Sequence, residues 1–362
     1  MIKVEKIHSP HGGNLWDAAA KYGLKPEEFI DFSASINPLG PSPQAIAAIQ
    51  EALPMIRHYP EPTGKSLKES LAVYLDVDVS NIVLGNGSTE LIYLLGRMKA
   101  RRMLVVVPSF TEYGQGRQQQ DVVKIPLSEQ EQYQLPVQQI IAAIKEGDCL
   151  FLGNPNNPTA RLFAADDLME VYAAVCARNA VMVIDEAFMD FSGQHSVFKQ
   201  MACQEENLMV LGSLTKFFAL PGLRIGYAVA AQPVVESMES LLAPWRLNTL
   251  ALVAGEKSLQ DKDYIDRTLE TIPAWRQSFA RQLQEIKGLK VYPSDSNFLL
   301  LKVEKKGCSA EELQDKLGAE GLLIRVCSNF QGLSPFHFRL AVRSQEENQI
   351  MIKSLKRYLS SS

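Results

Sequence analysis

Short apolar runs alternate with amphipathic stretches along the first two thirds of the chain. The runs cover residues 81–84, 103–107, 149–153, 181–185 and 208–212, and each has the length and the apolar character of a buried strand. Most of the segments between them repeat their apolar positions with the period of a helix. This alternation predicts an α/β fold with a mostly parallel sheet, in which ligands bind at the carboxyl ends of the strands.

The last third has a different pattern. A charged amphipathic helix is predicted over 261–286 and strands over 298–303, 323–326 and 336–342, which is typical of a smaller α+β domain. A long helix is also predicted to start near Pro233. We therefore expect an N-terminal arm over 1–42 that belongs to the small domain and the active site, a large domain over 43–250 and a small domain over 251–362.

Composition narrows the class of protein. The chain has 362 residues, 46% of them hydrophobic and 22% charged, which suits a folded enzyme with a sizeable core. Its net charge of −4 argues against nucleic-acid binding. No apolar run approaches the roughly 18 residues of a membrane span, and the N-terminus lacks the apolar core of a signal peptide. Five cysteines without a CxxC motif predict reduced thiols in the cytoplasm, and no Cys/His cluster has metal-binding spacing.

The strongest chemical signal lies in the segment 212–226. It contains Ser213, Lys216 and Arg224, separated by small and apolar residues. Lysine forms Schiff bases with carbonyl compounds, and pyridoxal 5'-phosphate (PLP) needs a lysine for its aldehyde. Its phosphate needs hydroxyl and guanidinium groups. The segment therefore predicts a PLP site.

Three further motifs fit the same cofactor. Asp185 ends an apolar run and could keep the pyridine nitrogen protonated. The Asn-Pro turn over 154–159 carries amides that could hydrogen-bond the phenolic oxygen of the cofactor. The glycine turn over 85–90 follows a predicted strand and opens a helix, where free N–H groups favour a phosphate.

The amide turn, the acid at a strand end and the Ser-x-x-Lys with its later arginine resemble the fold-type I, aspartate aminotransferase-like PLP enzymes. The resemblance covers nearly the whole chain and implies a seven-stranded, mostly parallel sheet. It also implies a homodimer with shared active sites. The residues that it assigns to PLP are Tyr59 from the neighbouring subunit, Gly87, Ser88, Thr89, Phe110, Asn157, Asp185, Ser213, Lys216 and Arg224. Many relatives have a tyrosine at the position of Phe188. The hydroxyl of that tyrosine would contact the phenolic oxygen of PLP, and phenylalanine cannot make this contact.

Two arginines lie in apolar runs near the C-terminus. Arg325 and Arg339 each need a partner, which is either an internal acid or a substrate anion. Two such arginines suit a substrate with two anionic groups, such as an amino acid phosphate. At this level the chain resembles the histidinol-phosphate aminotransferase branch. Within it, the segments 11–14, 31–40 and 185–188 are similar to those of threonine-phosphate decarboxylases. The resemblance implies that His11, Asn37, Asn157, Arg325 and Arg339 contact the substrate.

The implied reaction is PLP-dependent decarboxylation of L-threonine O-3-phosphate to (R)-1-amino-2-propanol O-2-phosphate for cobalamin. Lys216 and Asp185 would be catalytic, and either Lys216 or water would return a proton to the substrate carbon. Histidinol-phosphate transamination is the alternative within the branch, and serine phosphate differs from threonine phosphate by one methyl group. A non-enzymatic PLP-fold regulator would need a DNA-binding domain, for which we expect no residues to be left over.

Overall fold

The computed structural model describes residues 11–97, 100–115 and 117–360. Its helices are α1 (Leu15–Tyr22), α2 (Pro43–Ala52), α3 (Lys65–Leu75), α4 (Ser88–Gly96), α5 (Val137–Ala143), α6 (Ala165–Ala177), α7 (Val197–Ala202), α8 (Gln232–Leu241), α9 (Thr249–Gln260), α10 (Lys262–Gln284), α11 (Ala310–Gly318) and α12 (Gln345–Ser360). Its strands are β1 (Ile30–Asp31), β2 (Ile82–Asn86), β3 (Met103–Val107), β4 (Val122–Pro126), β5 (Cys149–Gly153), β6 (Val181–Asp185), β7 (Leu208–Ser213), β8 (Ile225–Val229), β9 (Leu289–Val291), β10 (Phe298–Val303), β11 (Leu322–Leu323), β12 (Arg325–Val326) and β13 (His337–Ala341).

The chain divides into two compact units. The large unit consists of Ile36–Pro273 with Ser294–Asn297, and the small unit consists of Met1–Ser35, Ala274–Pro293 and Phe298–Ser362. The chain therefore passes from one unit to the other between residues 35 and 36 and between residues 273 and 274. The predicted boundaries lie between residues 42 and 43 and between residues 250 and 251. The three-part division into arm, large domain and small domain stays a prediction.

The large unit is built on one seven-stranded sheet. Its strand order is β2-β8-β7-β6-β5-β3-β4, and all neighbours are parallel except that β8 runs antiparallel to β2 and β7. The central strands β3, β5 and β7 are buried along their whole length. Continuous apolar runs are what a sheet covered on both faces requires. The predicted α/β fold with a mostly parallel seven-stranded sheet is confirmed.

The predicted long helix near Pro233 is wrong. Helix α8 has only ten residues and ends at Leu241, and α9 begins at Thr249 after a gap of seven residues. Pro244 lies in the gap, and proline has no N–H to donate to a helix. Asn248 then caps α9, because its side-chain oxygen accepts the N–H of Ala251 at 2.8 Å.

The small unit has two sheets. Strands β12, β13, β10 and β9 form an antiparallel sheet in that order, and β1 pairs with β11 in parallel. The predicted strand over 323–326 is therefore divided between the two sheets. Phe32, Leu301, Phe338 and Leu355 belong to the apolar core of this unit. Among the helices of the described residues, none has both the length and the apolar character needed to cross a membrane.

Candidate active site

One edge of the seven-stranded sheet carries nearly all the residues predicted to bind PLP. Strands β2, β3, β5, β6 and β7 point in the same direction, so their carboxyl ends meet there, and the antiparallel β8 begins there. The residues that follow or end these strands are Gly87, Ser88 and Thr89 after β2, Phe110 after β3, Asn157 after β5, Asp185 in β6, Ser213 in β7 with Lys216 beyond it, and Arg224 before β8.

Gly87 and Arg224 form one side of a candidate phosphate site. The N–H of Gly87 donates to the carbonyl of Arg224 at 2.8 Å. A Cβ atom on Gly87 would lie 2.5 Å from Nη2 of Arg224. Only glycine at position 87 therefore leaves room for the guanidinium group of Arg224. Arg224 itself has a φ of 59°, a left-handed conformation that is costly for a residue with a side chain. The backbone thus carries strain where it places a cation beside the start of α4.

Gly226 brings the start of α4 against the sheet. A Cβ atom on Gly226 would lie 2.1 Å from the backbone nitrogen of Ser88. Gly226 is also the direct partner of Ser213 on the neighbouring strand, and the hydroxyl of Ser213 lies 2.8 Å from that of Thr215. The hydroxyl of Ser213, the guanidinium of Arg224 and the first N–H groups of α4 are the donors that a phosphate group requires. The residues present fit the phosphate of PLP.

Asp185 is the buried carboxylate of the site. It accepts the hydroxyl of Tyr113 at 2.8 Å and the N–H of Ala187 at 3.0 Å. Burial raises the pKa of Asp185, and these two hydrogen bonds and the positive charge of Lys216 oppose that rise. A buried carboxylate that two hydrogen bonds hold in place would gain a cationic partner in a protonated pyridine ring.

Tyr113 is a site residue that sequence reasoning missed. It is buried, its ring lies 4.6 Å from that of Phe151 and it meets the ring of Phe110 edge-on at 5.7 Å. Its hydroxyl therefore has a fixed position against Asp185. Its one signal in the sequence is a tyrosine three residues after Phe110.

Asn156 joins the two turns that carry Phe110 and Asn157. Its side-chain nitrogen donates to the carbonyl of Pro108 at 3.0 Å and to the hydroxyl of Thr159 at 2.8 Å. The turn after β5 is thereby fixed to the turn after β3. The contacts of Phe110 and Asn157 with a cofactor or substrate stay predictions.

Asn37, predicted to bind substrate, lies against the backbone of Lys216. Its N–H donates to the carbonyl of Lys216 at 3.0 Å, and its side-chain nitrogen lies 2.8 Å from the carbonyl of Phe217. The side chain is almost completely buried. The structure thus brings Asn37 to Lys216, the lysine predicted to be catalytic, through contacts with the main chain.

In the small unit, Arg325 and Arg339 are direct partners across β12 and β13. Arg339 donates to the carbonyl of Ser33 at 3.0 Å and lies 4.9 Å over the ring of Phe298. Arg325 donates to the side-chain oxygen of Asn329 at 2.8 Å. Burial, reinforced by the charge of Arg325, lowers the pKa of Arg339 to about 10. The two arginines thus lie opposite each other on neighbouring strands, with Arg339 buried and Arg325 partly buried.

The segment that contains His11 packs beside the contact of Arg339. The N–H of Gly13 donates to the hydroxyl of Ser33 at 2.8 Å. A Cβ atom on Gly12 would lie 2.2 Å from the carbonyl oxygen of Ser33, which is the oxygen that accepts from Arg339. Ser33 therefore connects the N-terminal segment to one of the two arginines. His11 itself is exposed, and its contact with substrate stays a prediction.

Tyr59 and Phe188 have opposite surroundings. Tyr59 is 82% exposed and its ring lies 5.0 Å from that of Trp245, so it is on the surface of the large unit. Phe188 is buried just beyond β6. The predicted contact of Tyr59 with a neighbouring subunit stays a prediction.

Comparison with known proteins places this geometry in a family context. Residues 27–355 match the family model for aminotransferase class I and II. The threonine-phosphate decarboxylase of Salmonella typhimurium is 36% identical over 359 residues, which is 98% of each chain. The adenosylcobalamin biosynthesis bifunctional protein of Leptospira interrogans is 32% identical over 94% of this chain and 40% of its own length. The crystal structure of histidinol-phosphate aminotransferase from Clostridium acetobutylicum matches with a TM-score of 0.84 and 30% identity, over 91% of this chain and 98% of that one.

Proposed function

Because the chain belongs to the aminotransferase class I and II family, we propose that it is a PLP-dependent decarboxylase of L-threonine O-3-phosphate. The product would be (R)-1-amino-2-propanol O-2-phosphate, which is used in cobalamin biosynthesis. The similarity to the decarboxylase of Salmonella typhimurium and to the cobalamin-biosynthesis protein of Leptospira interrogans supports this reaction and this pathway.

The observation that carries the proposal is the pair formed by Arg325 and Arg339. Two guanidinium groups on neighbouring strands repel each other, and this repulsion contributes to the lowered pKa of Arg339. A substrate that brings two anionic groups relieves the repulsion and accepts fork-shaped hydrogen bonds. L-Threonine O-3-phosphate has both a carboxylate and a phosphate.

Each residue of the large unit then has a defined task. When bound, PLP supplies a protonated ring that takes up the electron pair released as CO2 leaves the substrate. Lys216 would hold the cofactor through its amine, and Asp185, oriented by Tyr113, would keep the proton on the ring nitrogen. Ser213, Arg224 and the first N–H groups of α4 would bind the cofactor phosphate.

The remaining assigned residues would orient the two reacting partners. Phe110 would pack on the ring of the cofactor, and Asn157 would donate to its phenolic oxygen. Arg339 would bind the carboxylate that is lost, and Arg325 with His11 would bind the phosphate of the substrate. By orienting this carboxylate, Arg339 would decide which bond of the substrate breaks and therefore the type of reaction.

Histidinol-phosphate transamination is the second candidate. The similarity to the Clostridium acetobutylicum enzyme favours it. Phe188 at the position of the usual tyrosine and the His-Gly-Gly-Asn segment over 11–14 weigh against it. Decarboxylation of serine phosphate is a variant of the first proposal, because one methyl group in an apolar pocket changes binding by only about 1–3 kcal/mol.

A homodimer with shared sites would cover an exposed apolar surface of the large unit. Met55 is 51% exposed, Ile56 is 66% exposed, and both lie just before the exposed Tyr59. A second copy seated there would bury these side chains and bring Tyr59 toward the partner's cofactor phosphate.

The five cysteines are free thiols, which supports a reducing compartment such as the cytoplasm.

One assay separates the candidates. The purified protein, loaded with PLP, is mixed with L-threonine O-3-phosphate in the absence of a keto acid, and CO2 and product amine are followed. We expect rapid CO2 release together with aminopropanol phosphate. If CO2 does not appear, but histidinol phosphate with 2-oxoglutarate yields a keto product, the protein is an aminotransferase. L-Serine O-phosphate and unphosphorylated threonine serve as the matched substrates.

A further inference from the structure

A buried polar cluster lies behind Lys216 in the large unit. The side-chain nitrogen of Asn37 lies 2.8 Å from the carbonyl of Phe217, 2.9 Å from the hydroxyl of Tyr264 and 3.0 Å from the hydroxyl of Thr268. Asn37, Tyr264 and Thr268, which we call the Asn37 cluster, are all buried. Tyr264 and Thr268 come from α10, so the cluster connects this helix to the turn that contains Lys216.

The hydrogen-bonding capacity of Asn37 is used within the protein. Its amide group has two hydrogens to donate and three acceptors within 3.0 Å. Its side-chain oxygen accepts the N–H of Leu39 at 3.0 Å. The hydroxyl of Thr268 donates to the carbonyl of Tyr264 at 2.8 Å, so its oxygen is available as an acceptor for Asn37. A substrate could use this amide only by breaking buried hydrogen bonds.

Asn37 holds two consecutive carbonyl groups of the lysine turn. Its N–H donates to the carbonyl of Lys216 at 3.0 Å, and its side chain donates to the carbonyl of Phe217. The carbonyl of Lys216 also accepts the N–H of Ala219 at 3.3 Å, and Ala219 has a φ of 51° in the left-handed region. Such a turn persists only where surrounding contacts fix it, and the direction of the lysine side chain follows from the turn.

We propose that Asn37 is a positioning residue for Lys216, acting with Tyr264 and Thr268, and that it does not contact substrate. The proposal replaces the substrate role that the family resemblance implied for this residue. It rests on the proposed function only in that Lys216 must carry the cofactor, whichever reaction follows.

The test measures the cofactor linkage in the absence of substrate. The variants are Asn37→Asp, which keeps the shape of the side chain but removes its N–H donors, and Thr268→Val, which removes one acceptor of the cluster. Thr268→Ser restores the hydroxyl. Ser258→Ala is the matched control, because the hydroxyl of Ser258 is also buried but has no hydrogen-bond partner among the described residues.

Two quantities are followed: the rate at which apoprotein takes up PLP, and the midpoint of the pH titration of the bound cofactor's absorbance. We expect Thr268→Val to slow uptake several-fold and to shift the midpoint by about 0.5 pH unit, with a larger change for Asn37→Asp. Thr268→Ser and Ser258→Ala should match the wild type. If Asn37→Asp does not fold, Thr268→Val and Thr268→Ser decide the question.

The opposite pattern would overturn the proposal. Wild-type uptake and an unchanged titration midpoint in Thr268→Val and Asn37→Asp, with a raised KM in Asn37→Asp, would make Asn37 a substrate contact. A wild-type protein that takes up PLP at Lys216 but releases no CO2 would contradict the proposed decarboxylation alone. A wild-type protein that takes up no PLP would contradict both.

Discussion

The edge of the large sheet and the arginine pair of the small unit solve different binding problems. At the sheet edge, groups of opposite charge and complementary hydrogen-bonding type are combined, such as Asp185 with Tyr113 and the charge of Lys216. In the small unit, two like charges, Arg325 and Arg339, are held opposite each other. The first arrangement suits a resident cofactor, and under the proposed function the second binds the two anionic groups of the substrate. Changes at the sheet edge should therefore alter cofactor binding, and changes at the arginine pair should alter substrate binding.

The largest effect is expected at the sheet edge from Lys216→Ala. Turnover should fall by more than about 10⁴-fold, because no other group in the turn can hold the cofactor through an amine. The absorbance band of the lysine-bound cofactor should disappear as well. Steady-state assays and absorbance spectra measure both, and an unchanged melting temperature serves as the folding control. Retained turnover would remove Lys216 from the mechanism.

Arg339→Ala should give the next largest effect, and it should act on substrate. Loss of a buried guanidinium that binds a carboxylate costs about 2 kcal/mol or more, which corresponds to roughly a 30-fold higher KM for L-threonine O-3-phosphate. The cofactor spectrum should remain that of the wild type. Arg339→Lys keeps the positive charge but loses the forked guanidinium group, so its KM should lie between those of the wild type and Arg339→Ala. Loss of the cofactor absorbance band in Arg339→Ala would contradict the proposal that the sheet edge binds the cofactor and the arginine pair binds the substrate.

Arg325→Ala sharpens the comparison within the arginine pair. We expect KM to rise about tenfold more for L-threonine O-3-phosphate than for unphosphorylated threonine. Only the phosphorylated substrate has a phosphate group that would lose its contact with Arg325. Parallel kinetics on the two substrates measure the difference. An equal rise for both would show that Arg325 does not contact the phosphate.

Tyr113→Phe tests the acid side of the pH profile. Under the proposed function, Asp185 must be charged to keep the proton on the ring nitrogen of the cofactor, so activity should fall as the pH drops through the pKa of Asp185. The hydroxyl of Tyr113 lowers the pKa of Asp185. Its removal should therefore shift the acidic limb of the kcat/KM profile to higher pH by about 1 pH unit. The basic limb should not move. Identical acidic limbs in the two proteins would contradict the role of Tyr113.

The smallest effect is expected from Tyr59, where the test is complementation between subunits. If Tyr59 acts on the neighbouring site, a mixed dimer of Lys216→Ala and Tyr59→Phe chains contains one intact site. With random mixing in equal amounts, the mixed dimers should then contribute about a quarter of wild-type activity, in addition to the residual activity of the Tyr59→Phe dimers. No gain over the separate variants would place Tyr59 outside the partner's site. Sedimentation of each variant checks that dimers form.

The sequence predicts the sheet edge well because its signals are local. Asp185 and Ser213 close continuous apolar runs, and parallel strands bring such ends together. Tyr113 escaped because its partner lies 72 residues away and nothing in its own segment marks the contact. The groups that accept from the side-chain nitrogen of Asn37 lie between 180 and 231 residues away, so the family resemblance alone assigned its role. Strand β4 was missed because it is an edge strand with mixed burial.

Arg224 has a consequence for how this protein can change. A glycine at this position would adopt the left-handed backbone without strain, and the relief would amount to about 1–3 kcal/mol. The same replacement would remove the guanidinium beside Gly87. If Arg224 binds the cofactor phosphate as proposed, thermostability and phosphate binding make opposite demands on this residue, and selection for a more stable protein would weaken cofactor binding.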